Sequence, residues 1–149
     1  MKARMAAVAA LVAVLTGCAA TPAPSTVVVD VGTGLEFRVQ LASTPEQQRD
    51  GLSGRDELSE GTTGMLFTFD GPAERQVWMA GMKIPIDVAW IIDGQVLAVD
   101  TLDPCTTDTD DECPRWTPPG DADTLLEVPA GVLNGIEPGT PVTIREDTP

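Results

Sequence analysis

The chain contains no histidine. That leaves no imidazole to serve as a catalytic base and no way to complete a Cys/His metal cluster. Positive charge is also scarce: nine Lys and Arg stand against 23 Asp and Glu, a net charge of −14 at pH 7. Nucleic acid needs basic patches, and electrostatic docking on anionic lipid needs a basic segment. The charge balance argues against both. Cysteine is limited to Cys18, Cys105 and Cys113. The apolar run Met5–Leu15 is too short to span a bilayer, which takes about 20 residues. No internal repeat and no long amphipathic helix is visible.

What is present begins with an address. "MKAR" is a basic start, "MAAVAALVAVL" has the length of a signal-peptide apolar region, and "LTGC" follows at Leu15–Cys18. Small residues before a Cys at that place resemble the lipobox of bacterial lipoproteins. The resemblance implies cleavage before Cys18 and acylation of Cys18; the plainer alternative is an ordinary secretory signal. Two or more acyl chains anchor stably where one is marginal. The sequence therefore divides into a signal peptide at 1–17, a lipidated Cys and flexible tether at 18–26, and a single domain at 27–149. The tether "AATPAPST" is small, Pro-containing and uncharged. The domain, at about 120 residues, is long enough for one real core. Such a protein sits lipid-anchored on the extracytoplasmic face of a membrane.

Cys105 and Cys113 are an even pair in an oxidising compartment, separated by "TTDTDDE". Their spacing suits neither a CxxC redox pair nor a zinc site, so a structural disulfide is expected. It would close a nine-residue loop, a stabilisation of about 2.6 kcal/mol. Asp108, Asp110, Asp111 and Glu112 between them lack the EF-hand pattern and read as a solvated acidic loop rather than a Ca²⁺ site.

The rest reads as strands. "TVVVDV" (Thr26–Val31) and the alternating "LEFRVQLA" (Leu35–Ala42) form a hairpin around Gly32-Thr33-Gly34. That Gly-x-Gly lacks the further glycines and the helix of a phosphate loop. "STPEQQRDGLSGR" is a short helix, with Ser43 or Thr44 as cap, Pro45 in the first turn and Gly51 as stop. Further strands are expected at Gly64–Phe69, Arg75–Ala80, Ile86–Asp93, Gln95–Leu102, Thr124–Ala130 and Thr140–Glu146, with one helical turn near Gly131–Ile136. About eight short strands and one short helix indicate an all-β, mainly antiparallel sandwich or barrel.

In order, "RDGLSGRDEL" (Arg49–Leu58), "GMLFTF" (Gly64–Phe69), "VWMAGMKIPIDV" (Val77–Val88), the Pro-Cys…Cys-Pro loop and "LLEVPAG" (Leu125–Gly131) resemble the motifs of the DUF192 (UPF0127) family. The resemblance spans Leu35–Ile144 and implies a compact β fold. It implies no activity. Ala80-Gly81-Met82 stand where the family pattern has Lys-Asn-Thr, so any role of that Lys and Asn is missing here.

The segment Val77–Ile91 carries the candidate site. Gly81 and Pro85 mark a corner between strands. Asp87 follows in an apolar strand and must be satisfied, by backbone N–H groups or by Arg49 or Arg55. The pocket reading places Trp78 and Met79 as an apolar wall facing Lys83 or Arg49, with Asp87 as a polar group. Arg49 or Arg55 could instead pair with Glu127. Two functions follow. One is a non-catalytic binding or interaction module with an unidentified small-molecule or envelope-protein partner, no cofactor and no metal. The other is an envelope-acting hydrolase with Asp87 and Glu127 as acid and base, which requires both carboxylates in one cleft about 5–10 Å apart.

Overall fold

The structure is a computed structural model that describes residues 25–55, 61–107 and 109–147. The signal segment, Cys18, most of the tether and Asp108 lie outside the described residues.

The first hairpin is β1 (Thr26–Val31) and β2 (Leu35–Ala42), paired with Val31 opposite Leu35 and Val29 opposite Phe37. Helix α1 (Pro45–Asp50) follows. Thr44 is its cap: its hydroxyl accepts from the Gln47 N–H, and the Gln47 side-chain amide oxygen accepts in turn from the N–H groups of Ser43 and Thr44. This reciprocal capping box satisfies the end of a helix too short to persist alone. The crossover through α1 brings β3 (Met65–Ala73) back parallel to β2. The other strand pairs are antiparallel.

The remaining strands are β4 (Val77–Trp78), β5 (Ile86–Ile92), β6 (Gln95–Leu102), β7 (Arg115–Trp116), β8 (Ala122–Pro129) and β9 (Val142–Glu146). Seven form one sheet in the order β6-β5-β8-β3-β2-β1-β9, and β4 pairs with β7 in a separate ribbon. The large sheet curls so that the start of β6 approaches the chain entering β9 at one end. Val96 N–H donates to the Thr140 carbonyl at 2.9 Å, Gly139 N–H to the Val96 carbonyl at 2.7 Å and Val142 N–H to the Gly94 carbonyl at 2.8 Å. The fold is therefore a half-barrel built from one mostly antiparallel sheet.

Period-two alternation sorts the side chains onto two faces. The inner face buries Val29, Val39, Leu66, Ala89, Leu126 and Val128, with Leu133 closing one end. The outer face of β3, β8 and β5 buries a second cluster that includes Phe67, Val88, Trp90 and Leu125. Strand β5 is covered on both sides, which explains its apolar run from Val88 to Ile92.

Three expectations are corrected. The strand expected at Arg75–Ala80 shrinks to Val77–Trp78, because the next carbonyls are used by loops. Met79 C=O accepts from Cys105 N–H, and Ala80 C=O accepts from the Ser53 hydroxyl. β3 runs on to Ala73 through an irregular stretch after Thr68, where a connection was expected. Residues 130–135 form successive turns rather than one helical turn.

Cys105 and Cys113 are bridged, with Cα atoms 5.7 Å apart. The bridge joins the chain just after β6, where Cys105 N–H donates to the Met79 carbonyl, to the segment entering β7. Reduction, or Cys105→Ser with Cys113→Ser, is expected to lower the unfolding free energy by about 2.6 kcal/mol. Urea unfolding with and without reductant measures this, and coincident curves would show that the bridge constrains nothing.

Candidate functional site

A cavity of about 790 Å³ lies over the outer face of the sheet. Its floor is Phe67 of β3, Leu125 and Glu127 of β8, and Ile86 of β5. One side is the end of α1 and the turn after it, through Gln48, Arg49 and Leu52. The other comes from the end of β3 and the segment beyond it, through Phe69, Glu74, Arg75 and Val77. Trp78, Met79, Met82 and Arg115 complete the enclosure.

The walls are braced from within. Trp90, fully buried on the outer face, donates its indole N–H to the Arg75 carbonyl at 2.9 Å. The Arg75 guanidinium donates to the Gly71 carbonyl at 2.8 Å and lies 4.0 Å from the centre of the Phe69 ring. Arg115 lies 4.2 Å over the Trp78 ring and ties β7 to β4 through more than backbone pairing. Gly81 sits at the corner with φ of +69°, where a Cβ would come within 2.5 Å of the Ser53 oxygen. Gly64 lacks room for a different reason: a Cβ there would lie 2.1 Å from the Glu127 carbonyl oxygen. The chain entering β3 thus passes directly against the backbone that presents Glu127.

Glu127 is 7 % exposed. Cross-strand register sets it in one row with Gln40, Met65 and Val88. Burial pushes its carboxyl up to about 7, and no hydrogen bond or neighbouring charge offsets that burial. No hydrogen bond or ion pair engages its side chain among the described residues, and since every sealed side-chain N or O there has a partner, its oxygens open into the cavity. A carboxyl with this environment changes protonation near neutrality, where a surface Glu stays ionised.

Asp87 has the opposite surroundings. It is 1 % exposed and fully satisfied. Thr101 donates its hydroxyl at 2.7 Å to one oxygen, and the N–H groups of Gly131 and Leu133 donate to the other at 2.8 and 2.9 Å. Of the partners expected from the sequence, backbone N–H groups are the ones it uses, not Arg49 or Arg55. Asp87 stands opposite Val128 across β5 and β8, while Glu127 stands opposite Val88. Directly opposed residues share a face, so the two carboxylates emerge on opposite faces of the sheet. They do not meet in one cleft, and the acid–base pairing of Asp87 with Glu127 is corrected on that ground.

Of the other candidates, Arg49, Trp78, Met79 and Glu127 line the cavity, while Lys83, Arg55 and Asp87 do not. Arg55 donates to the Gln40 side-chain oxygen at 2.9 Å, which ends its pairing with Glu127 as an expectation. Lys83 is exposed on the corner. Phe67, Phe69, Arg75 and Arg115 were missed. The first two share a face of β3 by alternation, a signal present in the sequence; the position of Arg115 depends on the folded disulfide loop. Asp110–Glu112 form a short 3-10 turn with exposed side chains, and no cluster of three or more metal-ligating residues occurs among the described residues.

Residues 27–144 match the family DUF192, described as an uncharacterized ACR. The chain belongs to the DUF192 family. The domain is also similar to a crystal structure of a protein of unknown function from Novosphingobium aromaticivorans, at 28% identity and a TM-score of 0.66, covering 84% of this chain and 94% of that one. A second similar structure is that of a proposed transcription regulator from Sinorhizobium meliloti, at 21% identity and a TM-score of 0.69, covering 83% and 97%; that likeness is one of fold. No curated protein matches the sequence. In this DUF192 domain, Gly81 has a left-handed backbone angle, and Met82 beside it contributes to the cavity lining.

Proposed function

We propose that the protein is a lipoprotein, anchored through Cys18 on the extracytoplasmic face of a membrane, whose DUF192 domain is a non-catalytic module that binds a small molecule. The observation that carries the binding reading is the cavity itself: a floor of Phe67, Leu125 and Ile86 with the Glu127 carboxyl set among them, and polar and charged side chains confined to the walls. Ligand sites are commonly built this way, from a largely apolar concavity with few polar contacts that set orientation. The non-catalytic reading draws on the lack of histidine and on the closure of Cys105 and Cys113 in a disulfide, which with Cys18 lipidated as a thioether leaves no thiol in the mature protein. The "LTGC" segment supports the anchor.

Native mass spectrometry of the protein purified from its own membranes tests the binding reading. A stoichiometric small molecule is expected, and it should disappear in Met82→Trp, which sends bulk into the cavity from a half-buried rim position. Ligand-free protein that also gives no saturable response to any apolar probe would count against it. Cys18→Ala is expected to leave the precursor unprocessed or release the protein from the membrane fraction. Unaltered mass and partitioning of that variant would contradict the anchor.

A further inference from the structure

The chemistry around Glu127 narrows what the cavity can hold. A buried carboxyl without a partner is costly when ionised, and the cost is removed by a ligand group that donates hydrogen bonds or carries positive charge. Two of the aromatic rings at the cavity, Phe69 and Trp78, are engaged by the protein's own guanidinium groups, so the ring faces do not compete with Glu127 as the counter-group. The chain as a whole, at −14, draws cations toward its surface and repels anions. Three arginines, Arg49, Arg75 and Arg115, line the cavity, matched in number by Asp50, Glu74 and Glu127. Arg75 is held by the carbonyls of Gly71 and Ala122, and Arg115 lies over Trp78. Asp50 and Glu74 stand beside them in the lining.

We propose that the cavity takes a molecule bearing a protonated amine on an apolar body, with the Glu127 carboxylate as its counter-ion. This rests on the binding reading above and names the ligand class of that same site. Phe67, Leu125 and Met79 enclose the apolar part. The ammonium on Glu127 replaces lost hydration with a charge-assisted hydrogen bond. Because the carboxyl titrates near 7 in the empty cavity, binding below that pH must expel its proton to solvent. The other charged groups around the site are Arg49 and Asp50 from the α1 end, Glu74 and Arg75 from the segment after β3, and Arg115 from β7. Asp100 of β6 continues the row beyond Val88. With no imidazole in the chain, no histidine contributes to the profile.

Isothermal titration of the full chain with 2-phenylethylamine, 2-phenylethanol and 3-phenylpropionate, in one detergent throughout, tests this. At pH 8 the amine should bind saturably and at least about tenfold more tightly than the alcohol, with the carboxylate weakest. Its affinity should fall about tenfold per pH unit below 7, as linkage to one proton requires. Glu127→Gln should bring the amine down to the level of the alcohol and flatten the pH profile. Equal or tighter binding of the alcohol or the carboxylate overturns the ammonium proposal and leaves the binding reading standing. So does an amine preference that survives in Glu127→Gln, or a flat profile in the parent. No saturable binding of any of the three overturns both.

Discussion

Asp87→Asn is expected to lower the unfolding free energy by about 3 kcal/mol, measured as a drop in the urea midpoint at unchanged slope. The carboxylate accepts three hydrogen bonds at 2.7–2.9 Å and is 1 % exposed. Two come from the backbone of the turn after β8, and the donor at Leu133 is itself buried. An amide can keep its oxygen on the two backbone N–H groups and turn its NH₂ to the Thr101 hydroxyl, which then accepts. All three bonds lose their charge assistance, a difference of about 1 kcal/mol each. Leu133, which plugs the inner core and is 1 % exposed, is held in place by this contact. A surface Asp would change stability by less than about 0.5 kcal/mol. An Asp87→Asn protein as stable as the parent would mean that the turn holds itself.

The second large effect is a pH dependence due to Glu127. Its folded carboxyl is raised to about 7 from 4.5. Between those values the folded chain holds a proton that the unfolded chain has released, so stability falls as pH rises. The contribution is fully present below about pH 4.5 and is lost as pH rises through about 7. At about 1.36 kcal/mol per pKa unit, the whole change is about 3 kcal/mol. Glu127→Gln keeps the shape and removes the titration. Relative to the parent, the variant should therefore gain about 3 kcal/mol between pH 4 and pH 8. Urea unfolding of both proteins across that range gives the difference curve, and a flat one would contradict the buried state of Glu127.

Much of the scaffold was legible because local pattern and tertiary burial agree. The alternation in Leu35–Ala42 and the run of Ile86–Ile92 gave strand positions that match β2 and β5 to within a residue. The capping signals around Thr44 and Pro45 did the same for α1. Agreement failed where tertiary bonds override the local pattern. Val77–Ala80 has strand-forming residues, but the carbonyls of Met79 and Ala80 are taken by loops distant in sequence. The site was legible in part for the same reason. Alternation places Glu127 and Asp87 on some face, and only the register between β5 and β8 shows that the faces differ. The burial of Glu127 depends on α1 and the β4–β7 ribbon covering the outer face, which no local pattern encodes. Asp87 was readable because a carboxylate inside an apolar strand demands partners wherever they come from.

The raised carboxyl of Glu127 at the floor of the cavity is tested most directly by a ¹³C NMR titration of that side chain in the ligand-free protein, assigned by comparison with Glu127→Gln. A midpoint at about 7 is predicted; a midpoint at the ordinary glutamate value of about 4.3 would contradict it.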